Sequence, residues 1–515
     1  MNSLQNHHVL ILGLGASGLA MARWCARVGA QVTVADTRTA PPQLAALQRD
    51  VPAARFVSGP LDATLLDSGI SAVFKSPGLS PADVAPVAAA AQALALPLAG
   101  ELSLFAQALA ELKTSRDYAP KLLAITGTNG KTTVTSLTGQ LVERAGKSVA
   151  VAGNIGPTLL DTLMARLDAD DLPEVWVLEL SSFQLEGERS FESTAGAVLN
   201  ISQDHLDWHG SMAAYVQAKA AVFGQQGLMV LNREDEAVMG LLGADATAPG
   251  AVKAPAQRAK FKKPAPREHV TFGGDMPQRP GDFGIEIVNG MAWLVRALEA
   301  DETIKVRKGD APELFFQRLM PADALRIRGR HNAINALSAL ALACAAGCAL
   351  GPMLYGLREY VGEPHRVQPV GIVNGIEFFD DSKGTNVGAT VAALQGLGAE
   401  RKLVVILGGE GKGQDFSPLA EPVQRFCRAV VLIGRDAPLI RAALAPAQVP
   451  MFDAGAMQDA VTQAHAQARS GDAVLMSPAC ASFDMFDNYE HRARMFVQAV
   501  EALALEAGVM LEGSP

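Results

Sequence analysis

Residues 126–133, with the sequence TGTNGKTT, are the segment whose residue types and spacing most clearly predict chemistry. They follow a short apolar run and precede a helical pattern, and a glycine-rich loop in that place presents backbone N–H groups to phosphates. Lys131 stands where a lysine reaches the β and γ phosphates, and Thr132 where a hydroxyl ligates Mg²⁺. Ile125 replaces the first glycine of the usual pattern. We predict that ATP or GTP binds to Gly127, Thr128, Asn129, Gly130, Lys131, Thr132 and Thr133.

A second glycine motif, GLGASG at residues 13–18, lies between an apolar run and a helical pattern, and Asp36 ends the next apolar run. Glycines there let the backbone approach a diphosphate at a helix N-terminus, and the acid accepts a sugar hydroxyl. The motif alone leaves three interpretations open: NAD(H), another diphosphate ligand, or a structural turn.

Glu179 and His205 each follow an apolar run that predicts a buried strand. Ligand sites in open α/β sheets lie at the carboxyl ends of strands, so Glu179 is a candidate ligand for a hard metal ion, with a capped surface residue as the alternative. A lone histidine is more often structural, but the phosphate loop and Glu179 favour a functional role for His205.

Lys219 shares one predicted helical face with Met212, Tyr215, Val216 and Phe223. Burial disfavours the ammonium form, so this lysine must find a partner, extend to solvent, or react as a neutral amine. The spacing alone favours extension to solvent.

Three strand–glycine–helix segments, beginning near residues 7, 121 and 377, divide the chain. Short apolar runs alternating with helical patterns indicate parallel α/β layers, and 515 residues suit about three domains. A charged segment, ELKTSRDYAP at 111–120, connects the first two. Residues 240–325 are richer in proline and glycine, and their basic run at 253–268 is interpreted as a solvated surface loop.

Composition excludes several classes of function. A net charge of -9 argues against nucleic acid or an anionic membrane as the main partner. Five scattered cysteines without a CxxC pair fit reduced thiols, and no export signal is visible, so we expect a cytoplasmic chain without membrane insertion. We also expect a monomer, although no pattern in the sequence determines the oligomeric state.

The order of the motifs resembles that of the Mur ligases. The segments that carry the resemblance are TGTNGKTT, GNIG (153–156), ELSSFQL, NISQDHLDWH, GRHN (329–332), PHR (364–366), DDSKGTN and SPACASFDMF. The resemblance implies three α/β domains: a Rossmann-like domain for UDP at 1–112, a P-loop ATPase-like domain with a mainly parallel sheet at 113–362, and a Rossmann-like domain for the amino acid at 363–515.

The resemblance also implies an activity, with ATP and Mg²⁺ as cofactors. The sequences DDSKGTN and SPACAS resemble those of the family members that join D-glutamate to UDP-N-acetylmuramoyl-L-alanine in peptidoglycan precursor synthesis. The γ-phosphoryl group of ATP would convert the alanyl carboxylate to an acyl phosphate, which the amine of D-glutamate then attacks. Two rivals, an NAD-dependent dehydrogenase and a nucleotide-binding sensor, leave Glu179 and Lys219 without a role.

Roles carried over by the resemblance fall into four groups. Ser17, Asp36, Thr37 and Arg38 would contact the uridine side. Lys131, Thr132, Glu179, His205 and Lys219 would be catalytic or hold metal ions, with Lys219 carbamylated, and Asn154 and His205 would approach the muramoyl-alanine end. Asn332, Arg366 and Asp381 would surround adenosine and the phosphates. Lys383, Thr385, Lys412, Ser482, Phe483 and Tyr489 would form the D-glutamate pocket, with a helix or turn cap as the alternative role for Ser482.

Overall fold

Three separate β-sheets organise the chain in the computed structural model, which describes residues 4–66, 69–244, 267–301, 313–399, 401–509 and 511. Each sheet is covered by helices, and the strands pair mainly in parallel. The predicted α/β class with three Rossmann-like or P-loop-like layers is confirmed. We call the parts around the three sheets the first, central and third units.

The first unit is a five-stranded parallel sheet in the order β3-β2-β1-β4-β5. Its elements are β1 (His8–Leu12), α1 (Ala16–Arg27), β2 (Gln31–Asp36), α2 (Leu44–Asp50), β3 (Arg55–Ser58), β4 (Ile70–Lys75), α3 (Pro81–Ala93), β5 (Leu98–Ala99) and α4 (Glu101–Arg116). Strands with both faces covered are almost wholly apolar, and β1 shows this, since Val9 to Leu12 are fully buried. The GLGASG motif therefore joins β1 to α1, as predicted.

The central unit has a nine-stranded sheet, in the order β14-β13-β12-β11-β10-β9-β6-β8-β7. Its first elements are β6 (Lys121–Thr126), α5 (Lys131–Arg144), β7 (Val149–Gly153), α6 (Leu159–Asp168), β8 (Val175–Glu179), α7 (Ser182–Leu185), β9 (Ala195–Val198), α8 (Leu206–His209), α9 (Met212–Ala220), β10 (Leu228–Asn232), α10 (Glu236–Met239) and α11 (Leu241–Ala244). The phosphate loop lies between β6 and α5, and Glu179 ends β8, as predicted.

Four further strands extend this sheet at one edge: β11 (His269–Phe272), β12 (Phe283–Val288), β13 (Met291–Glu299) and β14 (Leu314–Pro321). The last two pairings are antiparallel. The sequence did not predict these strands, and most of the basic run at 253–268 lies outside the described residues. Of its two described residues, Arg267 donates to the carbonyl oxygens of Phe223 and Gly227. Helices α12 (Arg330–Ala345) and α13 (Leu350–Glu359) complete the unit.

The third unit is a six-stranded sheet in the order β15-β16-β20-β17-β18-β19, with only the β15–β16 pair antiparallel. Its elements are β15 (Gln368–Val373), β16 (Ile376–Asp380), α14 (Val387–Gly398), β17 (Leu403–Gly408), α15 (Ala420–Phe426), β18 (Cys427–Ile433), α16 (Ala437–Leu444), β19 (Met451–Asp453), α17 (Met457–Gln467), β20 (Ala473–Met476) and α18 (Tyr489–Glu506).

The connections between units are short. The first six residues of the segment 111–120 continue α4 to Arg116, and residues 117–120 lead into β6. The predicted domain boundary after residue 112 thus falls inside α4, and the one after residue 362 falls between α13 and β15; both stay predictions. No helix in the described part of the chain is long and apolar enough to cross a membrane. All five cysteines are free thiols.

Candidate active site

A cavity of about 900 Å³ opens where the central and third units meet. The carboxyl ends of β6 and β8 form one wall, and the loops after β16 and β17 form the other. The predicted site residues that line it are Thr128, Asn129, Lys131, Thr132, Asn154, Glu179, His205, Arg366, Lys383, Thr385, Lys412 and Tyr489. Half of all the predicted site residues, which come from separate motifs, thus share one cavity.

The phosphate loop is held in shape by the strand beside it. Backbone N–H groups of Thr128 and Asn129 donate to the carbonyl and side-chain oxygens of Asn200 at 2.9 and 2.8 Å. The Lys131 ammonium donates to the carbonyl oxygens of Gly127 and Thr128 at 3.0 and 2.8 Å. Lys131 is therefore folded back over its own loop, at the N-terminus of α5, where phosphate oxygens can replace those two carbonyls.

Two cations, Arg366 and Lys383, face this loop from the third unit. Burial lowers the pKa of Lys131, the Glu179 carboxylate opposes that change, and the Arg366 and Lys383 cations lower the pKa further. Arg366 also donates to the Thr132 hydroxyl at 3.0 Å. Cations brought this close repel one another unless an anion lies between them, so the arrangement is suited to a polyphosphate.

Glu179 is buried, and only one of its two carboxylate oxygens accepts a hydrogen bond from a described residue. Its Oε1 accepts from the Asn154 side-chain amide at 2.9 Å, and its Oε2 has no hydrogen-bond partner among the described residues. Gly153 makes this approach possible, because a Cβ there would lie 2.2 Å from the Glu179 carbonyl oxygen. A buried carboxylate oxygen without a donor is a position that a cation would stabilise.

The residues present fit a Mg²⁺ ion that shares its ligands with a nucleotide. Among the described residues, no three His, Cys, Asp or Glu side chains form a ready-made metal cluster. Mg²⁺ is usually held by one or two carboxylates together with substrate phosphates, and Glu179 and the Thr132 hydroxyl face the same cavity. The predicted metal ligand His205 lines it too.

Lys219 does not line the cavity; it lies behind the phosphate loop. Its side chain is 2% exposed, and its amine donates to the Gly127 carbonyl oxygen at 2.8 Å and lies 4.4 Å from the Tyr215 ring centroid. Burial lowers the pKa of this amine well below its usual value, and the Lys131 cation lowers it further. The side chain lies on the apolar face as the spacing indicated, but extension to solvent, the outcome that the spacing alone favoured, is wrong because the amine finds a partner inside the protein.

His205 precedes α8 with a positive φ of 53°. Its Nε2 lies 3.5 Å from an Asp204 carboxylate oxygen, and its ring centroid lies 4.6 Å from that of Phe183. The ring contact and the carboxylate together hold the imidazole at the edge of the cavity.

A smaller cavity of about 100 Å³ adjoins the phosphate loop on the other side. Asn332, Arg366 and Asp381 line it together with Asn129, Gly130 and Thr133. Burial raises the pKa of Asp381 to about 7, although a hydrogen bond from the Ser477 hydroxyl at 2.6 Å opposes that shift. The residues predicted to surround adenosine and the phosphates are thus brought together.

The predicted amino-acid pocket is only partly assembled. Lys383, Thr385, Lys412 and Tyr489 line the large cavity, and the Lys383 ammonium lies 5.3 Å from the Tyr489 ring centroid. The Tyr489 hydroxyl donates to Glu490 at 3.0 Å. Ser482 is buried, and its carbonyl accepts from the N–H groups of Met485 and Phe486, so it forms a turn outside the cavity lining. Phe483 is 64% exposed, with the Lys412 ammonium 5.8 Å from its ring centroid.

The uridine-side residues lie in the first unit, away from this cavity. Asp36 accepts from the Leu14 N–H at 2.7 Å and receives two hydrogen bonds at 2.8 Å from the Arg38 guanidinium, which lowers its pKa to about 2. Asp36 thereby fixes the GLGASG loop from the end of β2. Thr37 is exposed beside it, and Ser17 opens the first turn of α1.

Sequence reasoning missed residues that matter for the geometry. The Asn386 amide donates to the Asn129 side-chain oxygen at 3.1 Å and so joins the third unit to the phosphate loop. Gln203, Asp204, Glu363 and Gln414 also line the large cavity. Asn386 stands within DDSKGTN, and a motif shared along its whole length was the signal that could have identified it.

Family models match all three units. The Mur ligase MurD-like N-terminal domain matches residues 7–96, the Mur ligase middle domain residues 125–261, and the Mur ligase glutamate ligase domain residues 365–480.

Relatives match over full length. The UDP-N-acetylmuramoylalanine–D-glutamate ligase of Albidiferax ferrireducens is 72% identical over 515 residues, covering 100% of both chains. That of Burkholderia pseudomallei strain 668 is 55% identical, covering 98% of this chain and 99% of its own.

Solved structures share the fold at low identity. A UDP-N-acetylmuramate-alanine ligase from Thermotoga maritima aligns with a TM-score of 0.52 at 20% identity, covering 96% of this chain and 99% of its own. A MurF ligase from Thermotoga maritima in complex with ADP aligns with a TM-score of 0.55 at 14% sequence identity, covering 98% of this chain and 97% of its own.

Proposed function

The chain belongs to the Mur ligase family, and we propose that it joins D-glutamate to UDP-N-acetylmuramoyl-L-alanine, with ATP converted to ADP and phosphate. It is an ATP-dependent amide ligase of peptidoglycan precursor synthesis. The nicotinamide interpretation of the GLGASG loop and the sensor interpretation give way to this family. We propose one domain for each sheet, with the boundaries predicted above, and a monomer acting in the cytoplasm.

The observation that carries the chemistry is the cavity between the central and third units. A phosphate loop, a buried carboxylate and cations from two units face the same space, as a reaction between a polyphosphate and a carboxylate requires. Full-length identity to ligases named for D-glutamate supports the choice of amino acid.

Formation of an amide from a free carboxylate is uphill in water, so the alanyl carboxylate must first be activated. Lys131 and Arg366 are placed to neutralise charge as the γ-phosphoryl group moves to that carboxylate and ADP leaves. Asn154 and His205 are proposed to orient the acyl end. The neutral amine of D-glutamate then attacks the acyl phosphate carbonyl, the amide bond forms as the nitrogen releases one proton, and phosphate departs with the electron pair of the carbon–oxygen bond.

We propose that Mg²⁺ would be held by Thr132, Glu179 and His205 in the cavity and by Lys219, as a carbamate, from behind the phosphate loop. When bound, the ion would supply positive charge that polarises the phosphoryl oxygens. The burial of Lys219 supports carbamylation, because a neutral amine reacts with CO₂ to give an anionic carbamate and a proton. Tyr215, whose hydroxyl lies 3.1 Å from that of Thr128, holds the surrounding loop in place.

D-Glutamate carries two carboxylates, and the proposed pocket supplies cations for both. Lys383 and Lys412 line the cavity with the Thr385 hydroxyl between them in the chain. Ser482 and Phe483 are proposed to close the pocket from the loop after β20.

The test is phosphate release from ATP with UDP-N-acetylmuramoyl-L-alanine, comparing D-glutamate with L-glutamate, L-alanine and a diamino acid. We expect release with D-glutamate alone, abolished in Lys131→Ala. Lys147→Ala is the matched control, since Lys147 is a surface lysine just beyond the other end of α5, 3.6 Å from Glu174. Release with a different amino acid would reject the proposed pocket, and no release with any would reject the function.

A further inference from the structure

Lys75, the last residue of β4, lies where the first and central units meet. Its side chain is 17% exposed and lines a cavity of about 300 Å³ that Phe183 and Glu186 of the central unit also line. We propose that Lys75 is a positioning residue that sets the distance between the diphosphate loop of the first unit and His205. The inference rests on the proposed function, because it concerns how that substrate spans the two units.

Lys75 is tied to the diphosphate loop through its neighbour in the chain. The Ser76 N–H donates to the Leu12 carbonyl oxygen at 2.9 Å. A Cβ on Gly13 would lie 3.1 Å from the Ser76 Cβ, so the two loops are in close contact. Lys75 and the loop that faces the diphosphate therefore keep a fixed separation within the first unit.

The ammonium group of Lys75 reaches across to the central unit. It donates to the Leu79 carbonyl oxygen at 3.0 Å, lies 4.0 Å from a Glu186 carboxylate oxygen and 5.4 Å from the Trp208 ring centroid. The Trp208 indole N–H donates to the same Glu186 oxygen at 3.1 Å. One cation thus engages both a carboxylate and an aromatic ring of the other unit.

Trp208, one of these two contacts of Lys75, is connected to His205 through packed aromatic rings. The Phe183 ring centroid lies 4.2 Å from that of Trp208 and 4.6 Å from that of His205. The chain of contacts from Lys75 to His205 therefore passes through two aromatic rings only. Packed rings of this kind transmit a shift because protein interiors have little free space.

Desolvation makes the link sensitive to charge. Burial lowers the pKa of Lys75, and Glu186 and then Asp83 oppose that change. A methionine would keep the apolar stem and lose both the ion pair and the cation–π contact.

A positioning role for Lys75 predicts different effects on the binding of UDP and of UDP-N-acetylmuramoyl-L-alanine. UDP alone is held by the first unit, whereas UDP-N-acetylmuramoyl-L-alanine has to engage the first unit at its diphosphate and the central unit at its alanyl end. A residue that sets the distance between the units affects the second ligand and spares the first.

The experiment measures dissociation constants for UDP and for UDP-N-acetylmuramoyl-L-alanine by calorimetry on the full chain. The variants are Lys75→Met, Lys75→Arg and Glu186→Gln, with Lys147→Met as the control at a surface ion pair. We expect Lys75→Met and Glu186→Gln to weaken the full substrate roughly 3- to 10-fold and UDP less than about 2-fold. Lys75→Arg should restore most of the loss, and Lys147→Met should match the wild type.

Equal weakening of both ligands in Lys75→Met would overturn the proposal, and so would unchanged affinity for the full substrate. Because Glu186→Gln breaks the same contact from the other unit, it tests the link even if Lys75→Met folds poorly. Failure of the proposed function would differ, since the wild-type chain would then release no phosphate with this substrate and D-glutamate.

Discussion

Asp36 and Asp381 are two aspartates whose surroundings move their pKa values in opposite directions. The Arg38 guanidinium lowers the pKa of Asp36 to about 2, whereas burial raises that of Asp381 to about 7. Asp36 is therefore an anion at neutral pH that fixes a loop. Asp381 is poised to lose its proton when a cation or a phosphate-bound metal enters its neighbourhood.

Asp381 should make the fold less stable as the pH rises. Between its ordinary value of 3.8 and about 7, the unfolded chain ionises this carboxyl while the folded chain keeps the proton, so the free energy of unfolding falls through that window. Asp381→Asn removes this contribution. Denaturant titrations should show that, between pH 5 and pH 7.5, the free energy of unfolding of the variant rises relative to that of the wild type by on the order of 1–4 kcal/mol. Parallel curves for the two proteins would contradict the assignment.

Lys219 should carry a carbamate in the active chain. Lys219→Met is expected to lower the rate about 100-fold or more, because even residues that only support a metal ligand change activity by about 10- to 100-fold. ¹³C NMR after exposure to ¹³C-bicarbonate should show a carbamate signal in the wild type that is absent from the variant and present in Lys147→Met. Full activity without that signal would reject the carbamate.

At the residue scale, motif positions were predictable where one local pattern determines the chemistry. Lys131 and Glu179 follow from a loop and a strand end. Helical spacing placed Lys219 on an apolar face, but it favoured extension to solvent, which the structure excludes. The partner of Lys219, the Gly127 carbonyl, and the contact between Asn386 and Asn129 depend on how separate segments fold together. No local pattern contains that information.

At the scale of elements, the junction of β7 and β8 shows how backbone shape creates the site. Gly153 has φ +120° and faces the carbonyl of Glu179. Strands β11 to β14 were missed because the segment around them is richer in proline and glycine than the rest of the chain, and only pairing with β10 and with one another reveals them.

Gly153→Ala tests that junction. The new methyl group would meet the Glu179 carbonyl oxygen and force an unfavourable φ, so we expect a loss of about 2–4 kcal/mol in the free energy of unfolding, with activity lost as well. Gly146→Ala is the control, since Gly146 also has a positive φ but no atom of the described residues lies within 4 Å of its added Cβ, and it should cost about 1 kcal/mol. Equal losses in the free energy of unfolding for the two variants would show that the steric contact at Gly153 does not matter.

At the scale of the whole molecule, the active site exists only where units meet. Arg366 and Asn386 reach from the third unit to the phosphate loop, and Lys75 reaches from the first unit toward α8. The family resemblance predicted three α/β units, but their mutual placement was not legible from the sequence.

Closure of the third unit over the central unit should respond to ligands. ATP phosphates would add hydrogen bonds to groups on both sides of the cavity, so small-angle scattering should show a smaller radius of gyration with Mg²⁺-ATP and the UDP-linked substrate than without them. Asn386→Ala should weaken that response. Identical scattering profiles with and without ligands would contradict closure.

The most direct test of the account is the fate of oxygen from the alanyl carboxylate. UDP-N-acetylmuramoyl-L-alanine labelled with ¹⁸O in that carboxylate would be incubated with ATP and D-glutamate, and the released phosphate analysed by mass spectrometry. Activation as an acyl phosphate predicts one labelled oxygen in inorganic phosphate for each amide formed, with none in ADP. Label in AMP, or amide formation with unlabelled phosphate, would contradict it.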